Sequence, residues 1–565
     1  MRRAYSAVDA GFFLMVVLVP LAWTNVFAAE FTLAKFVTLN AALCLAAWGA
    51  ALRPEALAAG PTAFDAPLLA GLFVACLSAA ASSDPSTNLL GRYDSWAYGL
   101  WSLALLAGVV QLAARSARGR ESVRAGWMIW TAAIVGGYGV LQKCGIDPVL
   151  HIHSLPGGRA VSLLGSPVDL GALLALVWPL SLWRLDSDRR PRSALAAILV
   201  AGGLIACGSR GAWLGAGAGA AAYWLMSRRR PGEALRPSLG VPLAAVAGGI
   251  AWSFRPGASV VDAARREVWK TALTAFVHHP WLGVGPDGFE DAFRRLRTAN
   301  YAALMTAQHN QAYPHNDLLH VLASLGLLGA AVYAWLLGAL AKAARRALEP
   351  ETSRPLAAAL AAGVLALWVN LEFNPVALEV LVFAAIASGL LVSLGFPAEA
   401  PSRLPRPLYL AAGALATISL FYALGLARAD AEYKRAAAAQ ASGSFAAARP
   451  LFARARKAAP CELSYILAEV NSLGDWINAS HEVDDRLSLL ALAEADGREA
   501  VSCHPRQVNA HYISGAAARM HYDLGFKDQL GVAASEFDAA LALDPMFEPL
   551  IAARRDVARF QSLTR

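Results

Sequence analysis

Long apolar runs separated by short polar loops make up the first three quarters of this chain. Runs of roughly 17–22 apolar residues have the length that a bilayer crossing needs. They lie near residues 10–29, 33–52, 66–83, 96–114, 125–142, 166–183, 193–209, 211–227, 238–254, 317–341, 356–373, 376–396 and 407–427. The pattern predicts an all-α fold, a polytopic membrane helix bundle of about thirteen spans.

Composition and charge agree with a membrane protein and suggest its orientation. The chain has 565 residues, of which 57% are hydrophobic and only 16% are charged. Lys and Arg concentrate in every second loop, such as 115–124, 184–192 and 342–354, and basic loops stay in the cytoplasm. An odd number of spans then places the C-terminus outside. These loops account for most of the net charge of +8, which therefore does not indicate nucleic-acid binding.

Past about residue 428 the chain changes to Ala-rich amphipathic helix with charged faces. This predicts a transmembrane domain at 1–428 and a soluble α-helical domain at 429–565. The spacing of small and aromatic residues in the tail is similar to that of tetratricopeptide repeats. It involves Gly443, Phe445, Ala448, Phe452, Ala455 and Pro460, and again Ala533, Phe537, Ala540 and Pro545. Such repeats bind proteins, so we expect the tail to dock an acceptor or a protein partner, with a plain Ala-rich bundle as the alternative.

The six cysteines show no spacing that is typical of metal ligands. Cys461 and Cys503 both lie in the predicted exported tail, where an oxidising compartment would join them in a disulfide. Two free thiols are the alternative.

Arginines stand at two places on the predicted exported side, where basic residues are otherwise scarce. Arg210 lies in a tight break, Gly208-Ser209-Arg210-Gly211, between two apolar helices. Arg265 and Trp269 lie one helical turn apart in the long non-spanning segment at about 255–315. A guanidinium at such a position indicates an anionic partner. For Arg210 the alternative is an arginine that snorkels to lipid phosphate.

Polar residues crowd the end of that segment, where the chain re-enters the membrane. His315 and Asn316 are followed, after nine mostly apolar residues, by the Gly-Leu-Leu-Gly stretch 326–329. A histidine at the mouth of a helix bundle indicates chemistry. The alternative is that it caps the following helix while the glycines allow close packing. Arg159 and Glu372 are expected to add polar groups from the exported ends of other spans.

These residue types suit transfer of a sugar from an anionic carrier at the membrane surface. Arginines bind phosphate bidentately, and fixed cations stabilise a diphosphate leaving group as its bond to the sugar breaks. A neutral imidazole takes the proton of an attacking hydroxyl. With two arginines, one histidine and no acidic cage for a metal, the pattern predicts metal-independent glycosyl transfer without a cofactor.

Three motifs in order resemble the O-antigen ligase and O-antigen polymerase superfamily of bacterial inner-membrane proteins. The stretch Ser209–Trp213 is similar to its Ser-Arg-Gly motif, and Arg265–Trp269 is similar to the start of its large periplasmic loop. His315-Asn316-x9-Gly-x-x-Gly fits its motif at the re-entry point. The resemblance covers roughly residues 160–395. Val168-Asp169 departs from the family's asparagine-containing turn, and the exported repeat tail replaces a simple cytoplasmic end.

The resemblance implies an inner-membrane, multi-pass enzyme with a periplasmic C-terminal domain. It would take a glycan from undecaprenyl diphosphate and transfer it to a hydroxyl of a lipid, a glycan or a protein. By position, Arg210 and Arg265 would hold and neutralise the diphosphate, and His315 would act on the acceptor hydroxyl. The other expected substrate contacts are Ser209, Asn316, Trp269, Arg159 and Arg266, the last as the fallback for Arg265.

The superfamily uses one mechanism for three outcomes: ligation to a lipid core, polymerisation of repeat units, and transfer to protein side chains. The sequence does not separate them. From other functional classes, a transporter of lipid-linked glycans and an assembly scaffold built around the repeats are the alternatives. A transporter predicts charges in helix interiors and internal pseudo-symmetry, whereas the unusual charges here lie at one face. We therefore expect an enzyme.

Overall fold

The computed structural model describes residues 7–54, 57, 62–116, 119–152, 156–228, 259–306, 309–396 and 406–563. Over these residues every regular element is a helix and no strand is present, which confirms the predicted all-α class. Each predicted span corresponds to a helix except the one at 238–254, which lies outside the described residues. In the described part, six helices are long and apolar enough to cross a membrane, and four shorter apolar helices accompany them. The count of thirteen crossings stays a prediction.

The helices fall into three groups along the chain. The first contains α1 (Ala7–Leu21), α2 (Thr32–Leu52), α3 (Asp65–Ala81), α4 (Pro85–Leu90), α5 (Leu100–Ser116), α6 (Glu121–Lys143), α7 (Pro167–Asp188), α8 (Pro191–Cys207) and α9 (Arg210–Ser227). The second contains α10 (Val260–His278), α11 (Phe289–Leu296), α12 (Ala299–Met305), α13 (Asp317–Ala347), α14 (Arg354–Leu371) and α15 (Leu378–Gly395). The third contains α16 (Arg406–Ala441), α17 (Phe445–Ala458), α18 (Leu463–Ala479), α19 (Val483–Cys503), α20 (Val508–Asp523), α21 (Gln529–Leu543) and α22 (Glu548–Leu563).

Small residues bring α7, α9 and α14 into close contact at the centre of the bundle. A side chain at Gly215 of α9 would clash with the backbone carbonyl of Ala366 in α14. A side chain at Gly363 of α14 would likewise clash with the carbonyl of Leu176 in α7. Small residues let membrane helices approach closely, where dispersion contacts stabilise them. These three helices are therefore tightly packed next to the start of α9, where Arg210 lies.

The tail packs against the loops that carry the predicted site. Helix α16 runs without a break past residue 428. The domain boundary at that residue stays a prediction. Asp430 on α16 accepts hydrogen bonds from the backbone N–H groups of Ala28 (2.6 Å) and Ala29 (3.0 Å). Arg297, just after α11, donates to Asp544 at 2.5 Å, and both side chains are almost fully buried. The tail and the loops at 22–31 and 259–316 therefore lie on the same side of the bundle.

Within the tail, several of the predicted small and aromatic positions are buried, whereas Gly443, Pro460 and Pro545 are exposed. Ala448, Phe452 and Ala455 are fully buried, as are Ala533 and Ala540. The helices pair with their sequence neighbours, as repeat hairpins do, while the tetratricopeptide assignment itself stays a prediction. The structure joins Cys461 and Cys503 in a disulfide, which links the turn before α18 to the end of α19. The alternative of two free thiols is therefore not what the fold contains.

Arg297→Met is expected to destabilise the docked tail by about 3 kcal/mol, because the buried Asp544 carboxylate is then left with Arg294, 3.9 Å away, as its cationic partner among the described residues. Arg295→Met is the matched control, since Arg295 lies two residues earlier and is exposed. It should change stability by less than about 0.5 kcal/mol. Thermal unfolding in detergent, with limited proteolysis of the tail, measures both. Equal behaviour of the two variants would show that the ion pair does not hold the tail.

Candidate functional site

Arg210 begins α9 directly after a glycine turn. Gly208 ends α8 in the left-handed region at φ 58°, which glycine adopts without strain. The Arg159 side chain lies over this turn, and its Nε donates to the carbonyl of Cys207 at 2.9 Å. Ser209 is buried, whereas the Arg210 side chain is 57% exposed. The turn therefore presents Arg210 at the surface of the bundle, with Arg159 beside its base.

Gly211 lets this turn pack against the segment that follows α14. A side chain at Gly211 would clash with the amide of Asn374 and touch Asn370. Asn374 donates to the Asn370 side chain at 3.3 Å, and Asn370 is fully buried. Asn370 and Asn374, at the end of α14, thus support the turn that holds Arg210.

Arg265 lies on α10, near Arg210. Asp262, one turn earlier on α10, has an oxygen 3.7 Å from a guanidinium nitrogen of Arg210. Burial would raise the pKa of Asp262, but hydrogen bonds from Ser259 and the charges of Arg210 and Arg265 lower it. Burial and the charge of Arg210 lower the pKa of Arg265, while Asp262 opposes them. Two guanidinium groups therefore share one buried carboxylate, which leaves net positive charge for an anion.

The neighbouring Arg266 lies in a different electrostatic environment. Its charge acts on Glu267, which also binds Lys270 (2.6 Å) and Thr298 (2.7 Å). Arg265 instead acts on Asp262 and His315, as the directions of their pKa shifts show. Trp269 lies one turn after Arg265 on α10 and is partly buried. Of the two adjacent arginines, Arg265 is thus the one that the structure brings to Arg210 and His315.

His315 occupies the turn before α13 with a backbone φ of 55°, in the left-handed region that non-glycine residues seldom adopt. Its Nε2 lies 3.0 Å from Oε1 of Gln311, and its Nδ1 is buried without a partner among the described residues. Burial and the charge of Arg265 lower the pKa of His315 to about 4. The imidazole is therefore neutral at neutral pH and has one nitrogen available.

Asn316, and not His315, caps α13. Its Oδ1 accepts from the backbone N–H of Leu319 at 2.9 Å, as an N-cap side chain does. Its Nδ2 donates to Glu372 at 2.8 Å. Glu372 thus orients the asparagine and not a histidine, and it ties the start of α13 to the end of α14. The predicted substrate contact at Asn316 has its hydrogen bonds inside the protein.

The Gly-Leu-Leu-Gly stretch breaks α13 where a loop crosses it. Gly326 has φ 65° and ψ −160°, and a side chain there would clash with the backbone of Trp281. The loop Pro280–Gly285 takes over the hydrogen bonds that the break leaves open. They run from Val284 N to Ala323 O (2.9 Å), from Gly285 N to Ser324 O (3.0 Å) and from Leu327 N to Pro280 O (2.8 Å). Ser78 on α3 also donates to the carbonyls of Leu282 (2.6 Å) and Ser324 (3.0 Å). The glycine therefore fixes the loop after α10 to the helix after His315.

An apolar cavity of about 280 Å³ lies beside α13 within the membrane part. Leucines and valines of α3, α5 and α13 line most of it. Tyr98, Asp317 and His320 line this cavity and also line a smaller cavity at His315. The cavity suits an apolar chain whose polar end approaches His315.

Sequence patterns missed several residues of this site. Asp262 precedes Arg265 by three residues, a helical spacing that signals a possible ion-pair neighbour. Gln311 stood among the polar residues before His315, but its partner Tyr301 had no sequence signal. The predicted residues Arg159, Arg210, Arg265 and His315 do lie on one side of the bundle.

Comparison with curated proteins gives no match for this chain. A family model described as O-Antigen ligase matches residues 195–334. The matched segment contains Arg210, Arg265 and His315 and ends before the tail. The match supports glycan transfer of the O-antigen ligase or polymerase type by a multi-pass membrane protein.

Proposed function

We propose that this protein transfers a glycan from undecaprenyl diphosphate to a hydroxyl acceptor at the periplasmic face of the inner membrane. The observation that carries the proposal is the position of Arg265: it lies one helical turn after Asp262, which is 3.7 Å from Arg210, and its charge lowers the pKa of His315. The proposed anion-binding arginines, Arg210 and Arg265, therefore lie next to a neutral base, His315. Transfer from a diphosphate to a hydroxyl requires both.

In the proposed reaction, Arg210 and Arg265 hold the diphosphate of the donor. The acceptor oxygen attacks the first carbon of the glycan, the bond from that carbon to the diphosphate oxygen breaks, and the diphosphate keeps the electron pair. The two guanidinium groups stabilise the charge that develops there. The acceptor proton moves to Nδ1 of His315 and then to solvent. A base with a pKa of about 4 takes this proton late, once the new bond has made the hydroxyl acidic.

The membrane part supports a lipid-linked donor. The apolar cavity beside α13 shares Tyr98, Asp317 and His320 with the small cavity at His315, which suits a substrate carried by a lipid chain. The disulfide in the tail supports a periplasmic position, because disulfides persist in oxidising compartments. A reporter fused to the C-terminus tests that position directly, since activity of a cytoplasmic-only reporter would overturn it.

His315→Ala is expected to lower release of undecaprenyl diphosphate by about 10²–10⁴-fold, the usual contribution of a general base. The assay uses purified protein, an undecaprenyl-diphosphate glycan and a hydroxyl acceptor. His309→Ala is the control, because His309 is an exposed histidine of the same segment. Full activity of His315→Ala, or no release by the wild-type protein, would refute the proposal.

The product of the same assay separates ligation, polymerisation and protein glycosylation by its mass and linkage. The two non-enzymatic alternatives, a scaffold and a transporter, predict different experimental results. A scaffold would keep surface glycan unchanged in Arg210→Ala and His315→Ala cells and lose it when residues 430–565 are deleted. A transporter would move the donor without releasing undecaprenyl diphosphate.

A further inference from the structure

Gln311 lies between the candidate base and a buried tyrosine. Its side-chain Nε2 donates to the hydroxyl of Tyr301 at 3.0 Å, and its Oε1 lies 3.0 Å from Nε2 of His315. Tyr301 is fully buried, and its ring packs edge-on against Phe293 with centroids 4.9 Å apart. The amide is therefore held at both ends, with its oxygen towards the imidazole.

An amide oxygen accepts hydrogen bonds and cannot donate them. Because that oxygen faces Nε2, the neutral imidazole carries its proton on Nε2 and leaves Nδ1 bare. Nδ1 is the buried nitrogen that has no partner among the described residues. We propose that Gln311 is a positioning residue, which fixes the tautomer and the ring orientation of His315 so that Nδ1 faces the acceptor hydroxyl. The catalytic consequence rests on the proposed function, whereas the tautomer does not.

Further hydrogen bonds connect Tyr301 to the helix that carries Arg265. We call the series of contacts from His315 through Gln311, Tyr301 and Thr298 to Glu267 the relay. Thr298 caps α12, accepting from the backbone N–H of Tyr301 at 3.1 Å, and donates to Glu267 at 2.7 Å. Glu267 lies two residues after Arg265 on α10. At metal sites, the loss of a polar group that orients a histidine ligand typically lowers activity about 10-fold to 100-fold. We expect an effect of about that size from a group that orients a reacting histidine. The relay therefore fixes the position of the proposed base, His315, relative to that of Arg265, the proposed diphosphate-binding residue.

Several charged or titratable groups surround His315 and bear on its titration. Arg265 from α10 opposes its protonation. Asp317 and His320 from α13, and Tyr98 from the segment before α5, line the same small cavity. Tyr313 lines this cavity as well. Gln311, which is uncharged, contacts the ring itself. Its replacement by glutamate adds one negative charge and keeps an acceptor facing Nε2.

The tautomer is measured in the resting protein by nitrogen NMR of ¹⁵N-histidine-labelled chain in lipid nanodiscs, with the His315 signals assigned from His315→Ala. The wild-type protein should show a proton on Nε2 and a bare Nδ1 at pH 7, with the signal titrating near pH 4. Gln311→Met should give a mixture of tautomers. Gln311→Glu should keep the Nε2 proton and raise the midpoint. A proton on Nδ1 in the wild type, or an unchanged spectrum in Gln311→Met, would overturn the proposal.

Kinetics give the second readout, in the undecaprenyl diphosphate release assay. Gln311→Met should lower kcat by about 10-fold to 100-fold with the KM for the donor unchanged. Gln311→Glu should recover most of that loss and move the acidic limb of the pH profile upward, because a carboxylate stabilises the imidazolium. Equal losses in both variants with an unmoved limb would contradict the positioning role. If no variant transfers glycan while the tautomer is as expected, the proposed function fails and the relay stands.

Discussion

Arg265→Ala should lower the rate of glycan transfer by about 10²–10³-fold, the usual effect of removing one group that stabilises a developing negative charge. Burial and the charge of Arg210 lower the pKa of Arg265, so its cation is held at an energetic cost that the proposed diphosphate would relieve. The loss should fall mainly on kcat, because the leaving group is more negative in the transition state than in the bound donor.

Arg266→Ala is the matched control for this variant. The two residues are adjacent on α10, but the charge of Arg266 acts on Glu267 and not on His315. We expect Arg266→Ala to change kcat by less than about 10-fold, through loosening of α10 alone. Initial rates of undecaprenyl diphosphate release, at saturating acceptor, measure both variants. A larger loss in Arg266→Ala would assign the diphosphate contact to the fallback position.

Gly326→Ala is expected to destabilise the membrane domain by about 3 kcal/mol or more, and to lower its yield in detergent. At φ 65° and ψ −160° the backbone is in a region that is essentially limited to glycine. A methyl group there would also clash with the backbone of Trp281. The loop Pro280–Gly285 would have to separate from α13, which exposes its backbone hydrogen bonds inside the membrane.

Gly338→Ala, on the same helix, is the control for this second variant. A side chain at Gly338 meets open space, and alanine favours helix over glycine by about 1 kcal/mol. Gly338→Ala should therefore unfold at the wild-type temperature or slightly above it. Size-exclusion profiles after heating measure both glycine variants. A wild-type profile for Gly326→Ala would mean that the break in α13 is not required.

Local patterns account for what the sequence predicted well. Apolar run length depends on residues near each other in the chain, so the helices could be predicted from it. Motif spacing singles out Arg210, Arg265 and His315 in the same local way, and their roles stay predictions. The pair His315-Asn316 shows the limit, since the pattern could not tell which residue caps α13. Asn316 does so because its side chain reaches both Leu319 and Glu372.

Contacts between distant parts of the chain were not accessible in the same way. The bond from Arg297 to Asp544 joins residues 247 positions apart, and no periodicity relates them. The break at Gly326 was predicted only as close packing, because a glycine in an apolar run does not reveal which loop will cross it. The relay from Tyr301 to His315 likewise depends on how α12 folds back.

The buried bond from Arg297 to Asp544 also sets an order of events during biosynthesis. Arg297 is made long before Asp544, which lies near the end of the chain. Until the last helices have been synthesised, the segment between Arg265 and His315 lacks the carboxylate that neutralises Arg297. The newly made membrane domain therefore reaches its final packing only after the helix that precedes Asp544 has been synthesised and has packed against it.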